Sequence, residues 1–96
     1  MLRDPAPPAQ DPAALALAVL GWVLADEDRA QRLIALTGIV PQELRARLDE
    51  PAVLAEVLDF VLRHEPDLIA CADHLGVAPQ AIARAHHALS PSDWDA

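Results

Sequence analysis

Four histidines, one cysteine and fifteen carboxylates are the residues of this 96-residue chain whose types could do chemistry. His86 and His87 are adjacent, so on a helix they point about 100° apart and share one metal ion poorly. His64 and His74 have no histidine at helical chelating spacing and only scattered acids nearby. No HExxH pattern and no Cys/His cluster is present, so no metal site is assigned. Cys71 has no second cysteine to pair with, and its neighbours are apolar. It reads as a buried, unreactive thiol in a reducing compartment. No GxSxG, P-loop, GxGxxG or paired-carboxylate motif occurs. The acidic runs Asp26-Glu27-Asp28 and Asp49-Glu50 fall where helices begin and end, positions where capping and the helix dipole want carboxylates. No catalytic, cofactor-binding or metal residue is therefore assigned, and the chain is not read as an enzyme.

A turn written twice holds more information than any single residue. Gly38-Ile39-Val40-Pro41-Gln42-Glu43-Leu44 recurs 38 positions later as Gly76-Val77-Ala78-Pro79-Gln80-Ala81-Ile82. Glycine suits the left-handed residue that ends a helix, and the next apolar residue can pack back onto it. Proline fits the first turn of the following helix, where its missing N–H leaves no bond unmade. Each copy spells helix, tight turn, helix, a unit found in DNA readers and in plain helical bundles.

Residues 70–89 resemble the helix-turn-helix of transcription regulators. In a reader of that kind the second helix offers polar side chains to base edges. Here it offers Pro79, Gln80, Ala81, Ala83 and Arg84, which is poor in donors. The chain carries seven arginines, no lysine and a net charge of −8. Affinity for nucleic acid rests on neutralising phosphates, so this balance opposes it. Three aromatics, Trp22, Phe60 and Trp94, give little for bases to stack on. An anionic membrane surface would also repel the chain.

Six helices must position these groups. Asp11 caps the first and Pro12 opens it; it extends to about Asp26. Leu15, Val19 and Trp22 line one side, and Leu17, Leu20 and Leu24 another, so the helix reads as buried on all sides and as the central post. Gly21 costs about 1 kcal/mol relative to alanine there and fits where a neighbouring helix approaches closely. The second helix starts with Asp28 as cap and ends at Thr37-Gly38, with Arg29 and Arg32 outside and Leu33, Ile34 and Leu36 inside. The third extends from Pro41 to about Leu48, with Glu43–Arg47 as an exposed pair. Val40 is a weak cap for it. The fourth, from Pro51, carries an apolar stripe of Val53, Leu54, Val57, Leu58, Val61 and Leu62, with Phe60 at its margin and Glu56, Asp59 and Arg63 opposite. Pro66 and Pro79 open the fifth and sixth, which end near Leu75 and Leu89; His86 and His87 suit the C-terminal end of the sixth. No stretch alternates like a strand.

The expected architecture is an all-α compact bundle of five to six short helices, two similar helical hairpins surrounding a buried first helix. Residues 11–89 form its single domain. Residues 1–10, with three prolines, read as a flexible or polyproline-like arm, and residues 90–96 as a short polar tail. Trp94 in that tail is expected to fold back onto the bundle rather than protrude. The apolar run Ala13 to Ala25 is 13 residues long, against about 20 for a membrane span.

Ala14-Leu15-Ala16-Leu17 through Leu24-Ala25, Leu36-Thr37-Gly38, Leu44-Arg45, and Pro51 with Val57-Leu58-Asp59-Phe60 together resemble domain-of-unknown-function family 3572. The resemblance covers about three quarters of the chain. It implies a helical fold and a bacterial cytoplasmic protein, found chiefly in alphaproteobacteria, and brings no functional residue with it. The function expected on these grounds is a protein-interaction or adaptor module with a protein partner or a second copy. No small-molecule substrate is identifiable. The alternative is a helix-turn-helix DNA-binding regulator using the last two helices.

Overall fold

Proline and glycine punctuate this chain into helices with little left over. The structure, a computed structural model, describes residues 11–90. They form α1 (Pro12–Leu24), α2 (Glu27–Thr37), α3 (Pro41–Ala46), α4 (Pro51–Leu62), α5 (Glu65–Leu75) and α6 (Pro79–Leu89). Among the described residues there is no strand, and the all-α bundle is as expected. Five helices carry proline in their first two positions, where no intrahelical donor is lost. The arm of residues 1–10, and the tail beyond Ser90 with Trp94, lie outside the described residues.

Two caps are side-chain caps. The Asp11 carboxylate accepts the N–H groups of Ala13 and Ala14 at 3.1 and 3.4 Å. Asp26, not Asp28, caps α2, accepting the N–H groups of Asp28 and Arg29 at 2.9 and 3.1 Å. Asp28 instead sits in the first turn, where its charge still meets the positive end of the dipole. Val40 gives α3 no side-chain hydrogen bond, as its side chain dictates. Glu50 precedes α4 without capping it, because its carboxylate is taken by Arg47.

α1 and α4 pack on each other, and each also touches α2, α5 and α6. The central post is therefore a pair. Val53, Leu54, Val57, Leu58 and Val61 of α4 are buried, and so is Phe60, which lies inside the stripe rather than at its margin. Leu15, Ala16, Val19, Leu20 and Val23 of α1 face them. Ile82 and Cys71 close the core from α6 and α5, each fully buried. Removing a side chain of this size from water is worth about 1.5–3 kcal/mol, so these few residues carry most of the packing energy.

α1 is not buried on all sides. Leu17 and Leu24 are 43% and 46% exposed, and Gly21 between them is exposed too. No atom lies within 4 Å of a Cβ built on Gly21, so the close neighbour expected there is missing within the chain. Leu36, expected inside, is 74% exposed. It is the last residue but one of α2, and α2 buries only Leu33.

Candidate functional site

The doubled turn is real, and its two copies close differently. Both glycines are left-handed, Gly38 at φ 73° and Gly76 at φ 70°. After α5, the Val77 N–H donates to the Ala72 carbonyl at 3.0 Å, and the Gly76 N–H to Asp73 at 3.2 Å. That is the two-bond Schellman closure. After α2, the Gly38 N–H donates to Ile34 at 2.8 Å, and the second bond passes through a hydroxyl. Thr37 Oγ1 donates to the Leu33 carbonyl at 2.8 Å and accepts the Ile39 N–H at 3.2 Å.

α5, the second turn and α6 thus have the local form of a helix-turn-helix, and the surface they offer is thin in cations. Gln80, Ala83 and Arg84 are exposed on α6 while Ala81, Ile82 and Ala85 face the core. Elsewhere four of the described arginines have partners, and Arg45 is exposed without an ion pair among the described residues. Arg32 Nη2 lies 3.0 Å from Asp67 Oδ2, Arg63 2.7 Å from Asp59, and Arg47 3.1 Å from Glu50. The expected Glu43–Arg47 pair does not form, because α3 ends at Ala46 and Arg47 has left helical geometry. The Glu50 carboxylate, hydrogen-bonded to Arg47, holds that guanidinium above its usual pKa. Arg29 is not on the outside. Its guanidinium lies 3.7 Å from the centre of the Trp22 ring and donates to the Trp22 carbonyl at 2.6 Å. A cation over an indole face is worth about 0.5–2 kcal/mol depending on its desolvation.

The histidines do not assemble. His64 Nδ1 is 3.0 Å from Asp67 Oδ2, a partner three residues on that spacing rules for i,i+4 pairs passed over. Asp67 is the one buried charged residue among those described. Its carboxylate joins Arg32 of α2 to His64 at the start of α5, with Phe60 under the Arg32 guanidinium at 5.4 Å. The joint holds two helices together and offers no open ligand position. His86 lies 3.9 Å from Asp59 and 3.4 Å from the Ser90 hydroxyl. No group of three potential ligands occurs among the described residues. Cys71 is buried, and burial raises its thiol pKa to about 11, which leaves it protonated and poorly nucleophilic at neutral pH.

What the fold leaves open is apolar. Along α1, Leu17, Gly21 and Leu24 stand exposed on one face, with Ala14 and Ala18 half-buried beside them. From Pro12 to Leu24 no residue is ionisable. The face continues into a notch of about 80 Å³ between α1 and α3, lined by Leu20, Leu24, Pro41, Leu44, Arg45 and Leu48. Two larger clefts, of about 250 and 340 Å³, are lined in part by Glu56 and Asp59 and are more polar. No helix among the described residues is long and apolar enough to cross a membrane.

Residues 9–92 match the family model described as "Protein of unknown function (DUF3572)". The match covers most of the chain, which belongs to that family. No curated protein and no solved structure matches it.

Proposed function

We propose that this member of a family of unknown function is a cytoplasmic, non-enzymatic protein-interaction module, and that the open face of α1 with the α1–α3 notch is its contact surface. The observation that carries this reading is a three-turn helix face without an ionisable group, exposed on a chain of net charge −8. A contiguous exposed apolar face is the kind of surface that contact sites use. The glycine at its centre lets another backbone approach closely. The two central leucines would supply the area that such a contact needs.

Photo-cross-linking side chains placed at positions 17 and 24 test this, with positions 73 and 84 as exposed controls on other helices. Covalent adducts concentrated at 17 and 24 are the expected result. Adducts spread evenly over all four positions, or absent from α1, would remove the support for it.

The competing reading, a DNA-binding regulator using α5 and α6, finds Gln80, Arg84 and His87 as its exposed polar groups on α6. That is few for positioning on phosphates. Retardation of a DNA duplex at low salt that vanishes steeply as salt rises would speak for it instead.

A further inference from the structure

We propose that this chain carries a second contact surface, the groove between α2 and α4, and that its occupant is an arginine-bearing amphipathic segment of another protein. This surface is separate from the α1 face and does not rest on it.

The two walls of the groove differ in character. Leu36, Thr37, Glu56, Asp59, Phe60 and Arg63 line its cleft of about 250 Å³. On the α2 side stands Leu36, the most exposed large apolar side chain among the described residues. On the α4 side stand Glu56 and Asp59, three residues apart and so on one helix face. The same two carboxylates line the neighbouring cleft of about 340 Å³, together with Ala52 and Ala55. They form the divide between the clefts, and the open surface follows α4. From Ala52 to Phe60 that helix rises about 12 Å, a span suited to a short peptide segment.

The carboxylates keep acceptor positions free. Glu56 is exposed and forms no ion pair among the described residues. Asp59 gives Oδ2 to Arg63 at 2.7 Å, while Oδ1 has only His86, 3.9 Å away. One carboxylate thus lacks a counter-charge, and the other has an oxygen to spare.

Charge and shape select the occupant. A net charge of −8 draws cations over the surface and weighs against a second copy, a nucleic acid or an anionic membrane. A guanidinium can donate to two carboxylate oxygens at once through its planar fork. Its aliphatic stem packs on apolar surface, which Leu36 supplies. An ammonium would use the charge and not the fork.

The probe is an acetylated, amidated alanine-based peptide of about 14 residues, with leucine and arginine four positions apart. It is added to the isotope-labelled full chain, and amide shifts are followed by NMR. Saturable shifts at Leu36, Thr37, Glu56 and Asp59 are expected, with a dissociation constant of about 0.1–1 mM. Glutamine in place of the peptide's arginine should weaken binding about tenfold, and alanine in place of its leucine about fivefold. Glu56→Gln in the chain should weaken it about tenfold. Asp73→Asn, the same loss of charge at an exposed site on α5, should change it less than about twofold. Equal losses from Glu56→Gln and Asp73→Asn would reduce the binding to general attraction and overturn the proposal. Spermidine reproducing the shifts at the peptide's affinity would overturn it as well, since neither fork nor apolar wall would then matter. So would the absence of saturable shifts up to about 2 mM peptide. Shifts confined to residues 17, 21 and 24 would sink this groove and leave the α1 surface standing, and the cross-links at 17 and 24 test that surface separately.

Discussion

The two turns share glycine, proline and glutamine at matching positions and one backbone form, yet only one of the helices after them becomes part of the core. α6 continues for 11 residues and packs on α1, α4 and α5. α3 stops after 6 and lies at the edge. Aligning the copies at their glycines places Leu44 with Ile82, and both are buried. The neighbours decide the rest. Where α6 has Ala81 and Ala85, each buried, the first copy has Glu43 in α3 and Arg47 just past its end, each exposed. Small residues beside one large one let a helix come within packing distance of its neighbour. Two charged residues in the same places keep it out. A turn can therefore set where a helix starts without deciding whether that helix will be held.

The largest effect should come from moving that difference across. Ala85→Arg gives α6 the residue found at the matching position of the first copy and forces a charge into a site 4% exposed. It should cost about 3 kcal/mol or more, seen as loss of most of the cooperative unfolding transition. The reciprocal Arg47→Ala should change stability by less than about 0.5 kcal/mol, the usual limit for surface positions. A mild Ala85→Arg would mean that α6 can move off the core as easily as α3.

Next in size is the matched pair Ile82→Ala and Leu44→Ala. Ile82 is fully buried among α1, α4 and α5, and its truncation should cost about 3–4 kcal/mol. Leu44 is nearly as buried, but it lines an open notch that can collapse or fill with water. Its loss should cost about 2 kcal/mol, near the low end for such deletions. Equal values in urea titrations would show α3 to be anchored as firmly as α6.

The glycines should then behave alike. Both adopt a positive φ, and at neither would an added methyl meet a neighbour within 4 Å. Gly38→Ala and Gly76→Ala should each cost about 1–2 kcal/mol from backbone strain alone. A much larger cost at Gly76 would tie the turn itself to the core, in addition to α6. Thr37→Val probes the remaining difference. It removes the hydroxyl that joins Leu33 and Ile39 in the first turn, at a cost of about 1 kcal/mol. The second turn closes through backbone alone and has Leu75 at that position.

Helix boundaries were legible in the sequence because proline and glycine act locally, through a missing donor and a missing Cβ. The α4 stripe was legible because its apolar and charged residues alternate with the helical period. α1 was not. Its residues are apolar on every side, so the pattern has no direction and does not say which face is covered. The one clue to the open face was Gly21 flanked by Leu17 and Leu24 at helical spacing. Arg29 over Trp22, and Arg32 with Asp67 from 35 residues away, were out of reach for another reason. Arginine on a helix surface reads as solvated until the tertiary fold supplies an indole or a carboxylate beside it.

The smallest effect separates capping from the turns altogether. The Arg29 backbone N–H, donating to Asp26, holds that carboxylate below its ordinary pKa; partial burial opposes this, and the Arg29 guanidinium and Asp28 N–H add to it. A carboxyl whose pKa is lower folded than unfolded lends stability above its unfolded value. That contribution is lost as pH falls through the folded value. Asn at this position keeps the accepting oxygen but does not titrate. The thermal midpoints of wild type and Asp26→Asn should therefore differ most at neutral pH, with wild type higher, and converge as the solution is acidified below the carboxylate range. The difference belongs to α2 alone, since Val40 and Ala78, which precede the helices after the two turns, offer no side-chain cap. Curves that stay parallel down to acid pH would show that Asp26 holds α2 by hydrogen bonding without help from its charge.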